Sequence, residues 1–319
     1  MPSDISLQTV GVVLAVSTSN LAVLAWWRGW PKSLGRVKSW ITRSLPRSAV
    51  FLASMLAAIW VAIFLVYGYP VTGDIKLYFQ PYGRAVLAGA IPNVDFRSSY
   101  MPLFPYLMGA VDAIWSSDLS IPLFFTGCFA LACILLGKGM VEGGATVERA
   151  GSLAIIGALN GASWFLAVGY QQDESVMLLL AVMAMVFILR RRDLTGGVVL
   201  GLGLLATKVT FGISAVALLS QSRRRRQLVM GATLAAAPCI LLFALLGFNP
   251  LLMISGETGR INPPSLTALL GSLPFVYGSI SPSLWAVHLL AGAWCLTMAA
   301  MFRKPRLPEV SFDGLVKTL

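Results

Sequence analysis

The sequence predicts an all-α polytopic membrane protein, and three observations predict it. The chain of 319 residues is 57% hydrophobic and only 12% charged, with a mean hydropathy of +0.79, where soluble domains carry about 25% charged residues. Its apolar residues fall in runs long enough to cross a bilayer. Its cations fall in short clusters between those runs, as topology signals do. The net charge of +11 therefore reads as a record of orientation. A nucleic-acid surface would instead set the cations along one polar face.

Residues 6–26 form the first apolar run, with no Lys or Arg ahead of Arg28. A secretory signal peptide has a positive leading region, so the run reads as a retained helix with its N-terminus outside. Trp26, Trp27 and Trp30 mark the interface where it ends. The loop that follows carries Arg28, Lys32, Arg36, Lys38, Arg43 and Arg47 and reads as cytoplasmic. Residues 49–69 then cross outward and deliver the most polar stretch of the chain, residues 69–105, to the outer face.

The clusters Arg190–Arg192, Arg223–Arg226 and Arg303, Lys304 and Arg306 are expected on the cytoplasmic side. Residues 174–189 then run inward, which puts Gln171, Gln172, Asp173 and Glu174 outside. Apolar runs at 101–116, 119–137 and 150–169 separate the two outer points, and crossings by all of them would end on the wrong side. The run 101–116 is the one expected not to span. It is short of the about 20 residues needed, has prolines at 102 and 105, and carries Asp112. It reads as a juxtamembrane helix on the outer face.

Residues 195–220 lie between two cytoplasmic clusters and are too short for two crossings. They are expected to form a broken, re-entrant hairpin turning near Ala206, Thr207 and Lys208. Non-helical backbone at that depth must be covered by protein or a watery cavity. A buried Lys there costs roughly 2.5–3.5 kcal/mol on insertion scales and asks for an anion; the alternative is that Lys208 snorkels to an interface. Residues 228–247 cross outward, 248–280 stay outside with an interfacial helix near Ser265–Leu273, and 283–302 return. On this topology nineteen of the 24 Lys and Arg are cytoplasmic. A single transmembrane domain over 1–319 is expected: 1–48 the first helix and basic loop, 49–302 the main bundle with an outer loop at 70–118, and 303–319 a cytoplasmic tail.

Cys128, Cys133, Cys239 and Cys295 sit in apolar runs without C-x-x-C spacing, and His288 is the one histidine. No metal site and no cofactor are expected. The chemistry instead points to the outer face, because polar groups are costly near hydrocarbon and gather where a membrane protein works. There the stretch 69–105 contributes Asp74, Lys76, Tyr78, Arg84, Asp95, Arg97 and Tyr100. Asp74 and Tyr78 share a face if the segment is helical. Asp95 and Arg97 could instead form a loop-ordering ion pair. Asp173 and Glu174 could simply favour the positive end of a helix dipole.

The series Gly73-Asp74, Tyr78, Gly89, Pro92, Asp95-Phe96, Tyr100 and Pro102-Leu103 resembles the first outer loop of GT-C fold glycosyltransferases. Among these the polyprenol-phosphate-mannose-dependent mannosyltransferases are the nearest group. Gln172-Asp173, the glycine-rich stretch Gly196–Lys208 ahead of an Arg cluster, and Asn262 with Ser265-Leu266 fit the same pattern, so the resemblance covers about residues 49–302. It implies a GT-C-like bundle in the cytoplasmic membrane with its active site on the outer face. The donor would be a polyprenyl-phosphate sugar and the acceptor a glycan, glycolipid or protein, with membrane lipids as surroundings and no nucleic acid. A carboxylate pair adjacent in the first loop of some relatives is absent here, which leaves Asp74 alone.

Such a transfer can be reasoned from its chemistry. A phosphate-linked donor already has a good leaving group, so one base for the acceptor hydroxyl suffices, with cations for the departing phosphate. Asp74 fits the base. Lys76, Arg84, Arg97 and Lys208 are the phosphate candidates, and Tyr78, Asp95, Tyr100, Gln172 and Asp173 would bind sugar hydroxyls or order the loop. The rival readings are a transporter or lipid flippase, which would favour midplane sites in two related halves, and a structural subunit of an envelope-assembly complex.

Overall fold

A computed structural model describes residues 17–26, 32–66, 68, 71, 73–169, 171–208 and 210–248, and every regular element among them is helical. Helix α1 (Lys32–Thr42) lies in the basic loop. Helix α2 (Leu45–Val61) starts behind Ser44 with a proline in its first turn, where a missing N–H leaves no bond unmade. It passes directly into a π-turn, Ala62–Val66. A second π-turn, Ile75–Phe79, leads into α3 (Gln80–Leu87), and α4 (Leu103–Ile114) packs against α3. Glycine permits that approach: a Cβ on Gly83 would come within 2.9 Å of the Gly109 nitrogen.

Helix α5 (Ser120–Glu142) runs the depth of the bundle, and α6 (Val147–Leu159) returns beside it, capped by Thr146, whose hydroxyl accepts from Arg149 N. After the third π-turn, Phe165–Gly169, come α7 (Glu174–Leu189), α8 (Asp193–Ala206), α9 (Phe211–Gln221) and α10 (Arg225–Leu245). Leu45–Val66, Ser120–Glu142 and Arg225–Leu245 are long and apolar enough to cross a membrane. Helix α4, at 12 residues, is not, in line with the expectation for 101–116; α6, at 13 residues, and α7, at 16, also fall short of that length, although 150–169 and 174–189 are expected to cross.

The expected crossing 6–26 is described only from residue 17; those residues are helical and run antiparallel to α6, with Ser19 at Leu159 and Trp26 at Ser152. One expectation is corrected here. Trp26 does not face an interface: it is buried against Ile41 and Ile155, stacks on Phe51 and donates Nε1–H to Ser152. An apolar body with one satisfied N–H is as much at home inside a protein as at a headgroup. Trp27, Trp30, the crossing 283–302, the helix near Ser265–Leu273, Asn262, His288, Cys295 and the tail 303–319 lie outside the described residues.

Helices α8 and α9 form a hairpin whose two feet are tied by a hydrogen bond from the Ser222 hydroxyl to Asp193 Oδ1. The chain reverses at 207–210, and the Phe211 ring lies over Gly203. Gly197 and Gly201 of α8 face Leu228 and Ala232 of α10, while Gly231 of α10 faces Leu194. Added side chains there would collide with backbone. Small residues let helices approach where no hydrophobic drive separates protein from lipid.

The bundle has two distinct ends. Glu142, closing α5, accepts two hydrogen bonds from Arg190 at the end of α7, so α5 and α7 finish together among the arginines. At the opposite end α7 begins at Asp173, and the tip of the α8–α9 hairpin meets it there. An aromatic cluster supports that end: Phe79, fully buried, sets its ring edge-on against Tyr100, Phe104 and Phe125 at 5.4, 5.2 and 5.8 Å. Each such ring contributes about 1.5–3 kcal/mol by burial, enough to fix the segments that carry the polar groups.

Candidate active site

The segment Gln171–Asp173 joins the polar groups of the site end. Gln171 is fully buried and holds φ at +55°, in the left-handed region, which is uncommon outside glycine and clusters at working sites. That turn aims the next two side chains in different directions. Gln172 donates Nε2–H to Asp74 Oδ2 at 3.1 Å. Asp173, fully buried, takes the Lys208 ammonium on Oδ1 at 2.7 Å and the Tyr100 hydroxyl on the same oxygen at 3.4 Å.

Lys208 also reaches Glu174 Oε1 at 3.0 Å and stands 5.6 Å from the centre of the Tyr100 ring. The hairpin tip is held to the first loop by Met101 N–H donating to Thr207 O at 3.2 Å. Three pieces distant in sequence thus close on one another: the loop 74–101, the turn 171–174 and the tip 207–208. The anion that a buried Lys208 requires is supplied twice, by Asp173 and Glu174. These two also cap α7, with Asp173 at the N-cap and Glu174 in the first turn, where negative charge favours the helix dipole. The helix-start position and the pairing with Lys208 are thus compatible in one arrangement.

Burial pushes the Asp173 carboxyl up to about 6, against the opposing pull of Lys208. Asp173 Oδ2 is buried with no hydrogen-bond partner among the described residues. Asp74 differs: it is half-buried, and only Oδ2 is engaged among the described residues. A carboxylate held by one oxygen, with the other open, can accept a proton from an incoming hydroxyl.

Two of the three π-turns among the described residues adjoin this junction in the chain: Ile75–Phe79 follows Asp74, and Phe165–Gly169 precedes Gln171. Such turns are rare and concentrate at functional sites, because the extra residue re-aims the side chains that follow.

Of the other expected residues, Lys76, Arg84, Asp95 and Arg97 form no hydrogen bond or ion pair to Asp74, Asp173 or Lys208 among the described residues, and Tyr78 packs against the aromatic cluster that includes Tyr100. Arg84 is exposed and pairs with buried Asp112 at 3.5 Å. Asp95 does not pair with Arg97 among the described residues; its Oδ2 accepts from Ile91 N–H at 2.7 Å and closes its own loop. Lys76 and Arg97 are exposed and make no ion pair among the described residues. Tyr78 sits beside Tyr82, which in turn meets Phe96. Residues that sequence reasoning missed are Glu174 as the second partner of Lys208, Gln171 as the turn, and Asn93. Asn93 is buried at φ +59° and accepts from Ser98 N–H. An Asn in a Pro-Asn step is a turn signal that could have found the last. Among the described residues no cluster of His, Cys, Asp or Glu could hold a metal ion.

No curated protein and no solved structure matches the chain significantly. The family model of glycosyltransferase family 87 matches residues 100–317, which takes in Tyr100, the turn 171–174 and the hairpin tip and begins after Asp74. The match spans most of the sequence, and with three membrane-length helices it identifies the setting as well as the reaction. The chain belongs to glycosyltransferase family 87 and is a membrane glycosyltransferase.

Proposed function

We propose that this protein transfers a hexose, mannose by its sequence resemblance, from a polyprenyl phosphate to an acceptor hydroxyl on the outer face of the cytoplasmic membrane, with Asp74 as general base. The acceptor hydroxyl gives its proton to Asp74 Oδ1 as its oxygen attacks the anomeric carbon. The bond from that carbon to the phosphate oxygen breaks, and its electron pair leaves with the polyprenyl phosphate. Attack opposite the leaving group inverts the anomeric centre. No second carboxylate is needed, since a phosphate departs without protonation, whereas a glycosidase must protonate a poor alkoxide and activate water.

The observation that carries this reading is the half-exposed Asp74 carboxylate, held on one oxygen by Gln172. Its depth supports the same reading. Helix α5 has 23 residues and α7 has 16, and they finish together at Glu142 and Arg190. At 1.5 Å per residue, α7 begins about 10 Å short of the start of α5. Gln172 and Asp74 are therefore recessed, at a level where a lipid-borne phosphate and a water-borne hydroxyl can meet. On this reading 193–221 is a re-entrant hairpin of a GT-C-like bundle.

Roles follow from what each group is free to do. Lys208 is committed to two carboxylates, so it positions Asp173 and Tyr100, while the exposed Arg97 and Lys76, which make no ion pair among the described residues, serve the phosphate. Arg suits that task by bidentate geometry; Arg84 is held by Asp112 and would exchange that partner to join them. Asp173, fully buried, orders the loop together with Tyr78, Tyr100 and Asp95. Purified protein incubated with a panel of polyprenyl-phosphate sugars tests the reading. Turnover or thermal stabilisation with the mannosyl donor is expected; turnover with nucleotide sugars alone would overturn it.

A further inference from the structure

At the end of α7 remote from Asp74 lies a cleft of about 470 Å³, formed where α5, α7, α8, α9 and α10 terminate. Its wall carries Arg191, Arg223 and Arg224, with Gln221 beside them. The rim opposite is Gly143-Gly144, where φ +95° at Gly144 keeps the α5–α6 turn tight and free of side chains. Arg191 itself sits at φ +60°, a conformation uncommon outside glycine that clusters at working sites.

The charge of this cleft is not balanced from within. Its two carboxylates are already engaged: Glu142 by the Arg190 guanidinium through both oxygens, and Asp193, buried, by the Ser222 hydroxyl. Arg191 and Arg224 are exposed, and among the described residues neither side chain forms an ion pair. Helix dipoles do not decide the sign, since α8 and α10 bring N-termini here while α5, α7 and α9 bring C-termini. The guanidinium groups decide it.

We propose that this cleft binds the phosphate headgroup of an anionic phospholipid from the leaflet at the arginine-rich end. The forked donors of Arg match phosphate oxygens, and basic pockets between membrane helices are suited to such headgroups. Lipid is favoured over a soluble anion because the same wall includes Ile188 and Leu189, the last apolar residues of α7, which would meet the glycerol and first methylenes. The site is separated from the Asp74 junction by the whole of α7, so it is a lipid site distinct from the donor site.

Native mass spectrometry of the purified full chain, with titrated phosphatidylglycerol, phosphatidylcholine or inorganic phosphate, tests this directly. Phosphatidylglycerol is expected to be retained in preference to phosphatidylcholine. Arg191→Asn, which tolerates the left-handed backbone, and Arg224→Gln should each weaken retention about fivefold. Arg226→Gln, outside the cleft but equal in charge lost, should leave it unchanged. Equal loss in all three variants would mean general charge attraction and overturn the site. Inorganic phosphate displacing the lipid at matched concentration would overturn the choice of a lipid.

Discussion

The two ends of the α7–α8 pair manage charge in opposite ways. At one end Lys208 bridges Asp173, which is buried, and Glu174, which is exposed, and Gln172 of the same turn holds Asp74. At the other end seven arginines, Arg190–Arg192 and Arg223–Arg226, surround two carboxylates, both already bonded. The same two helices join them. Asp74 is half-buried and held by one neutral amide, which leaves an oxygen for an incoming proton; at the other end Glu142 is taken by Arg190 through both oxygens and Asp193 is buried under Ser222. On the proposed roles, the first end does the chemistry and the second meets anionic lipid.

The largest effect expected from breaking this contrast is on turnover. Asp74→Asn should lower transfer about 10²–10⁴-fold with an unchanged melting temperature, while Glu142→Gln at the arginine end should leave transfer nearly intact. A radiolabelled donor assay on both variants, alongside melting curves, decides it. Stability should show the same asymmetry. Lys208→Met strands buried Asp173 and should cost about 3 kcal/mol, much of it recovered in the double variant with Asp173→Asn. Arg190→Gln breaks an exposed, solvent-screened pair and should cost far less. Chemical or thermal denaturation in detergent would reverse the account if the two costs were equal.

Much of this contrast was legible in the sequence, and the reason is physical. Arg clusters between apolar runs bracket chain reversals, so a helix pair is expected at 195–220 and a helix too short to span at 101–116, and α8–α9 and α4 fall there. A Lys amid apolar residues announced its need for an anion. What the sequence could not announce was partnership across the fold. Gln172 facing Asp74, and Lys208 facing both Asp173 and Glu174, come with the left-handed turn at Gln171 and the π-turns at Ile75–Phe79 and Phe165–Gly169. Those have no residue signature, being adjustments of helix register made under tertiary packing. Trp26 failed for a related reason, since a tryptophan suits an interface and a core equally.

Smaller effects sharpen the picture. Gln172→Ala removes the one hydrogen bond seen on Asp74 among the described residues and should slow transfer about tenfold, with the loss in kcat more than in KM because the role is positional. The pH dependence of stability should be smaller still. Asp173 titrates near 6 when folded, above its value of 3.8 in the open chain. Between those values the folded state keeps a proton that the unfolded state has lost. Stability from this group therefore falls as pH rises from about 4 to about 6 and is flat above. Melting curves across that range should show the decline in the wild type and not in Asp173→Asn.

The central claim is that sugar transfer takes place at the carboxylate-rich end. A polyprenyl-phosphate sugar carrying a photoreactive diazirine on the sugar, irradiated with the purified protein in excess phosphatidylglycerol, tests it most directly. Peptides spanning 73–101 and 171–208 should carry the label, and Asp74→Asn should retain labelling while losing turnover. Label confined to peptides spanning 142–144 or 190–192 and 221–226 would place the sugar among the arginines and contradict the account.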